Sequence, residues 1–291
     1  MLSSVEKILV RGRNYYLKRD DLIDPLLSGN KYRKLYALIQ APAEQYERII
    51  SYGGTQSNAM LSIAALCQQK GWRFDYTSKT VAAHLKKRPT GNLKVALELG
   101  MQLHEVEPVQ YAEAIEALKA TQGSSTLLLN QGGADPLARA GIEQLAHEIR
   151  VWQADQSIES PLHVVTPSGT GTTAYYLACA LPDVWVWTTA VVGDSAYLLS
   201  QMGALGPLVA NLKLLESPKK YHFAQPYAEF LAMYRELLEA GLEVDLIYGA
   251  QMWQALLEHR ALLDGAVLYL HSGGLIGNET MLDRYVHKGL F

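Results

Sequence analysis

Cysteine is scarce in this sequence: 291 residues contain two, Cys67 and Cys179. Each lies among apolar, helix-prone neighbours (Ala64, Ala65, Leu66; Leu177, Ala178, Ala180), which predicts buried, inert thiols. No Cys-x-x-Cys pair or Cys/His spacing suggests a metal centre. No apolar run approaches the roughly 20 residues needed to span a bilayer. The N-terminal MLSSVEKILVRGRNYYLKRDD has no apolar signal core, so the expectation is a cytoplasmic protein without a membrane partner. Charge of one sign is also missing: the net charge is −3, and Lys86-Lys87-Arg88 reads as a short solvated loop. Nucleic-acid binding therefore has little support. The small-residue loop Thr166–Thr173 lacks a closing Gly-Lys-Ser/Thr, and Gly169 and Gly171 have no glycine at 174 to complete a dinucleotide fingerprint. An NTPase or a dehydrogenase is poorly supported.

What is present is core material and alternation. Hydrophobic residues make up 49% and charged residues 19%, the range of a globular protein with a substantial core. The length allows one large domain or two of modest size. Strand patterns at 8–10, 15–19, 48–52, 73–77, 101–106, 125–130, 162–165, 185–192 and 266–270 are interleaved with helical ones. The helical patterns run over 32–39, 59–69, 93–99, 111–120, 137–152, 174–180, 228–240 and 250–263, with a polar linker at 155–161. Residues 193–222 are too broken by Gly203, Gly206 and Pro207 to assign. Strands alternating with helices at this spacing predict parallel sheets with helices on both faces.

Polar glycine turns follow several strands: Gly53-Gly54-Thr55-Gln56-Ser57-Asn58, Gln131-Gly132-Gly133-Ala134-Asp135, Thr166 to Thr173, and Ser272-Gly273-Gly274. Each could be an ordinary capped turn, yet together they offer backbone N–H groups at helix starts, where anions bind. Another turn, Leu27-Ser28-Gly29-Asn30, opens a helix with Ser28 or Asn30 as cap and puts Lys31 in the first turn. A cation is disfavoured there, and a helix start with partial burial stabilises the neutral amine, a nucleophile toward carbonyls. Ligands of open parallel sheets sit beyond the carboxyl ends of the strands. A phosphate cradle beside a candidate lysine points to pyridoxal 5'-phosphate held as a Schiff base.

The same residues resemble the 1-aminocyclopropane-1-carboxylate deaminase/D-cysteine desulfhydrase family. Lys18-Arg19-Asp20-Asp21 with Ser28-Gly29-Asn30-Lys31-Tyr32-Arg33-Lys34-Leu35 is similar to its opening motif. Gly53 to Asn58, Thr90-Gly91-Asn92-Leu93, Gln131-Gly132-Gly133, Thr170-Gly171-Thr172, Tyr248 after Asp245, and His271-Ser272-Gly273-Gly274 follow in family order. The resemblance implies a tryptophan-synthase-β-like α/β fold of two open twisted, mostly parallel sheets with the cofactor between domains. It implies a larger cofactor domain of residues 1–38 plus 150–291, a smaller one of 39–149, and a homodimer. Lys31 would be the Schiff-base lysine, and Asn58 would meet the ring hydroxyl. Ser168, Gly169, Thr170, Gly171 and Thr172 would take the phosphate, and Ser272 would face the pyridine nitrogen. Ser57, Tyr248 and, more loosely, Tyr227 match catalytic positions, with Thr55, Gln56, Ser57 and Asn58 beside the substrate.

The activity implied is α,β-elimination from a small amino acid, giving a keto acid, ammonia and, from cysteine, sulfide. The alternative is ring-opening deamination of 1-aminocyclopropane-1-carboxylate. Gly249 stands where the deaminase type usually places a glutamate, and Gln251 where a lysine is usual. Residues 73–88 lack the expected substrate-side tryptophan. These departures favour elimination from a D-amino acid, and they also leave a weakly active or inactive amino-acid-binding homologue as a reading.

Overall fold

The computed structural model describes residues 2–158 and 161–291, so the predicted linker falls partly outside the described residues. Strands β1 (Val5–Val10) and β2 (Arg13–Lys18) form an antiparallel hairpin whose turn puts Arg11 and Gly12 in the left-handed region. The chain then builds a four-stranded sheet from β3 (Arg48–Tyr52), β4 (Arg73–Lys79), β5 (Gln102–Val106) and β6 (Thr126–Leu129). Its order is β5-β4-β3-β6 and every pairing is parallel. A second sheet takes β7 (Leu162–Val165), β8 (Trp185–Thr188), β9 (Leu212–Leu214) and β10 (Ala266–Leu270), and adds the N-terminal hairpin. Its order is β1-β2-β10-β7-β8-β9, parallel except for the hairpin. The last strand thus lies between the chain's second strand and its seventh, with Leu268 level with both Tyr16 and Val164.

Helices cover these sheets. They are α1 (Asn30–Gln40), α2 (Asn58–Lys70), α3 (Ala83–Lys87), α4 (Gly91–Glu98), α5 (Tyr111–Lys119), α6 (Ala138–Asp155), α7 (Thr172–Ala180), α8 (Ser195–Gly203), α9 (Ala228–Glu239), α10 (Gly249–Glu258) and α11 (Asn278–His287). The large sheet buries one apolar face under α9, α10 and α11 around Trp253, Leu237 and Tyr285, and the other under α6 and α7 around Ile149 and Leu177. The small sheet has its own core, in which Leu35, Met60, Ile63 and Leu93 meet Ile49 and Phe74. Strands buried on both faces carry the short continuous apolar runs seen in the sequence. The predicted α/β class of two mostly parallel sheets is the one observed.

Several local expectations change. Cys67 is buried and its thiol pKa is pushed far up by burial, but Cys179 is exposed, because it falls on the outer face of α7. Gly29, not Ser28 or Asn30, is the N-cap of α1, and no side chain caps it. The basic run 86–88 overlaps a short helix, α3. The strand expected over 185–192 stops at Thr188, and the unassigned 193–222 holds α8 and β9. Helix α10 ends at Glu258, short of Leu263, and α11 had not been foreseen.

One polar group lies in the core between β2, α1 and α6. Arg33 donates to Asp20 (2.9 and 2.7 Å) and to Glu148 (2.8 and 3.0 Å). Lys18 donates to Glu148 at 2.7 Å and to the Ser3 carbonyl at 2.7 Å, and Ser3 Oγ donates to Asp20 at 2.6 Å. All four charges are buried, two of each sign. Such a group survives burial only because each charge has partners. It anchors the helix that carries Lys31.

Candidate active site

A cavity of about 670 Å³ opens between the two sheets, at the carboxyl ends of β3, β6, β7 and β10. The turns at 52–59, 130–134, 167–173 and 272–274 line it, with Lys31 and Lys34 of α1. Four turns that look unremarkable singly converge because parallel strands all end on the same side.

Lys31 is half-buried, and its amine faces the cavity and donates to Asn30 Oδ1 at 2.8 Å. Burial lowers its pKa to about 8, against the pull of the Asp245 carboxylate. Asp245 is itself pushed up by burial, while the N–H groups of Tyr248 (2.6 Å), Gly249 (2.9 Å) and Ile247 (3.2 Å) hold it. The lysine turn is fastened to the far end of the chain: Asn30 N donates to the Ser272 carbonyl at 3.3 Å. Gly29 sits at φ 58°, where a Cβ would fall 1.9 Å from that carbonyl oxygen. Only glycine fits there.

Lys34, three residues on along α1, also faces the cavity. Its Nζ donates to the Gly132 carbonyl at 3.0 Å and to Thr170 Oγ1 at 3.4 Å. Burial and the charge of Lys31 hold its pKa well below the ordinary lysine range, with Asp135 opposing.

In the turn before α2, Ser57 caps the helix, its Oγ accepting from Met60 N at 3.3 Å. Asn58 Oδ1 accepts from Asn92 Nδ2 at 2.7 Å. Its own Nδ2 has no acceptor among the described residues and faces Gly274, where a Cβ would come within 2.3 Å. Thr55 lines the cavity. Gln56 does too, but its side chain donates to the Thr90 carbonyl (3.1 Å) and accepts from Asn92 N (3.0 Å). Its amide therefore holds the start of α4 in place and is not free for the substrate contact expected of it.

The loop after β7 divides in two. Ser168 belongs to the sheet: its N–H donates to the Thr189 carbonyl, its carbonyl accepts from Val191, and its Oγ accepts from Thr188 Oγ1 at 2.7 Å. It lines the cavity but has no backbone donor left for an anion. The N–H groups of Gly169, Thr170 and Gly171 have no acceptor among the described residues, and Thr172 and Thr173 open α7. Thr173 Oγ1 is buried without a partner. These donors form an anion cradle.

Tyr248 lines the cavity, and burial together with Asp245 pushes its phenol pKa well up. The Phe223 ring packs on it edge-on, with centroids 5.9 Å apart. Tyr227 is not brought to the site. Its ring packs against Tyr221 and Phe230 in the core, and its hydroxyl accepts from His222 N at 3.0 Å. The ring this segment sends to the cavity is Phe223. Sequence reasoning also missed Lys34, Asp245 and, on α11, Arg284. Lys34 had a signal, since residues three apart share a helix face.

The sequence pattern of the pyridoxal-phosphate dependent enzymes matches residues 7–273. The chain belongs to that family. Its relatives include a protein of Thermotoga maritima described provisionally as a 1-aminocyclopropane-1-carboxylate deaminase, 28% identical over 290 residues, 91% of this chain and 90% of that one. The D-cysteine desulfhydrase of Serratia proteamaculans is 26% identical over 293 residues, 90% of this chain and 87% of that one. Among solved structures, a 1-aminocyclopropane-1-carboxylate deaminase homologue superposes with a TM-score of 0.74 at 21% identity, covering 97% and 93% of the two chains. A hydrogen sulfide-producing enzyme of Fusobacterium nucleatum gives 0.61 at 15% identity, covering 94% and 96%. These likenesses establish the fold of the tryptophan-synthase-β-like pyridoxal enzymes.

The cavity fits the family's cofactor. The unpartnered N–H groups of 169–171, the orphaned Thr173 hydroxyl and Lys34 suit its phosphate. Asn58 Nδ2 suits an anionic ring oxygen, and Ser272, a cavity-lining hydroxyl with no partner among the described residues, suits the ring nitrogen. The Lys31 amine lines the same cavity.

Proposed function

We propose that this pyridoxal enzyme is a lyase of the D-cysteine desulfhydrase type. It would remove the β-substituent of a small amino acid and release a 2-keto acid and ammonia, with sulfide when the substrate is cysteine. The observation that carries this reading is the Lys31 amine, its pKa lowered by burial to about 8, in the cavity that the Ser57 turn and Tyr248 also line.

Pyridoxal phosphate, when bound, supplies an electron sink that weakens the bonds at the substrate Cα. The chain's own residues then divide the work. The start of α2 presents the N–H groups of Asn58 and Ala59, which have no acceptor among the described residues, with the Ser57 hydroxyl, toward a substrate carboxylate. Lys31, lowered to about 8, takes a proton at Cα at neutral to mildly alkaline pH. Tyr248 stays protonated, so it serves as an acid and not as a base, which suits a departing β-substituent. Asp245 carries its charge close to Lys31 and Tyr248. Ser272 is neutral where a carboxylate would hold a proton on the ring nitrogen, which favours prompt elimination over a long-lived carbanion.

Gly249 favours elimination over ring opening. A Cβ there would fall 2.8 Å from Val244 Cβ and 3.1 Å from Asp245 Oδ2, so the glutamate of the deaminase type has no room.

The strands of the large sheet come from residues 5–18 and 162–270 and those of the small sheet from 48–129, which supports the division into 1–38 plus 150–291 and 39–149. We place the protein in the cytoplasm as a homodimer without nucleic-acid or membrane partners. Among the described residues, no helix is long and apolar enough to cross a membrane.

The test is release of keto acid, with sulfide from cysteine, from D-cysteine, L-cysteine, D-serine, cysteate, O-phosphoserine and 1-aminocyclopropane-1-carboxylate by wild type and Lys31→Ala. Release from a β-substituted substrate, lost in the variant, is expected. A colourless preparation that does not retain pyridoxal phosphate, or a cofactor-loaded protein that releases nothing from the panel, overturns the reading.

A further inference from the structure

Three cationic side chains line the cavity, Lys31, Lys34 and Arg284, against one carboxylate, Asp245. Two of the cations have evident work. Lys31 is the cofactor lysine, and Lys34 faces the phosphate loop. Arg284 lies apart, on α11, on the wall formed with Phe223 and Ala224.

Its environment is unusual for an arginine. The side chain is partly buried, and the one protein bond it makes is from Nη1 to the Ala224 carbonyl at 2.8 Å. No carboxylate forms an ion pair with it among the described residues. The acids of its own helix do not compensate: Glu279 accepts from Gly91 N at 2.8 Å, and Asp283 is exposed. A guanidinium has five N–H donors in a planar fork, and only one is occupied here. Its remaining donors are open to the cavity, where an anionic group of a ligand can take them.

The carboxylate shared by all amino acids is already provided for at the start of α2, by the free N–H groups of Asn58 and Ala59. The charge that Arg284 lacks must then come from the variable part of the substrate. The bond to Ala224, which sits at φ 56° without being glycine, holds the wall and aims the fork. We propose that Arg284 makes this site selective for amino acids whose side chain ends in an anionic group, by a forked hydrogen bond to that group. Carboxylate, sulfonate and phosphate share the chemistry that would satisfy it. This inference rests on the functional reading above and narrows its substrate class.

The test is a titration of the cofactor-loaded protein, read as the change in cofactor absorbance on binding and so independent of turnover. Each pair sets an anionic side chain against a neutral one: aspartate against its near-isostere asparagine, cysteate and O-phosphoserine against serine, each in both enantiomers. Wild type should bind at least one anionic member about tenfold or more tightly than its neutral partner, the effect of one charge-assisted hydrogen bond. The three anions separate carboxylate from sulfonate and phosphate. Arg284→Met should bring the ratio toward one, and Arg284→Lys should keep part of it. Equal binding of all pairs by wild type, which needs no variant, overturns the inference and leaves the functional reading standing. So does an equal loss for charged and neutral members in Arg284→Met, which would assign the guanidinium to the α-carboxylate. No spectral response to any amino acid overturns both.

Discussion

Asn92 holds Asn58 in position. Its Nδ2 donates to Asn58 Oδ1 at 2.7 Å and to the Gln56 carbonyl at 2.9 Å, so the amide of Asn58 can present only its N–H side to the cavity. Asn92→Asp keeps the shape and removes both donors. Loss of such a bond inside a protein costs about 1–3 kcal/mol, which predicts a fall of roughly 5- to 150-fold in cofactor affinity. Titration of cofactor-free protein with pyridoxal phosphate measures it. Unchanged affinity would show that Asn58 needs no such support.

Lys34 stands beside Thr170 and the phosphate cradle. Lys34→Met should weaken binding of pyridoxal phosphate far more than binding of pyridoxal, which lacks the phosphate. Equal weakening of both would assign Lys34 to the fold alone.

The lowered pKa of Lys31 has a thermodynamic sign. Below pH 8 both folded and unfolded chains hold the proton, whereas between 8 and 10.5 the unfolded chain binds more. Stability of the cofactor-free protein should therefore rise through that window relative to Lys31→Met. Chemical denaturation of both proteins across the window checks this, and parallel curves would mean that Lys31 titrates normally.

Glu148 works in the opposite sense. Burial raises its pKa, but Arg33 and Lys18 more than offset that and hold it at about 2 against an ordinary 4.5. Its stabilising contribution is complete above 4.5 and is lost as pH falls to 2. Glu148→Gln leaves Lys18 and Arg33 short of a counter-charge, which should cost about 3–5 kcal/mol at neutral pH. It should also flatten the acid limb of the stability curve.

Two glycines of similar backbone angle separate strain from crowding. Gly12 at φ 72° has open space around its would-be Cβ, whereas Gly29 at φ 58° meets the Ser272 carbonyl. Gly12→Ala should cost only about 1–2 kcal/mol, the ordinary penalty of the left-handed region. Gly29→Ala should cost clearly more and should also loosen the cofactor, because the carbonyl it displaces anchors Asn30.

The strands, the helices and the glycine turns were legible because strand and helix periods are local, and Lys31 was legible because its turn and helix are local too; the order of the strands, with β10 between β2 and β7, is not local. What could not be read lies in contacts across the chain. Tyr227 and Phe223 sit four residues apart in an aromatic segment, and only the packing of α9 decides which ring enters the core. Gln56 looked like a substrate contact because its partners, Thr90 and Asn92, lie more than thirty residues away. Helix α11 buries Met281 and Tyr285 one turn apart, but no motif marks Arg284 beside them as a cavity residue.

The bond from Asn30 to the Ser272 carbonyl joins positions separated by most of the chain. During synthesis from the N-terminus, Lys31 emerges early and waits in water with the pKa of an ordinary lysine. The walls that surround it, 167–173, 245–248 and 272, follow it in the order of synthesis. A chain not yet folded therefore carries a mostly protonated amine, and the neutral share rises once the fold is closed around it. Completion of the fold is what switches the lysine on.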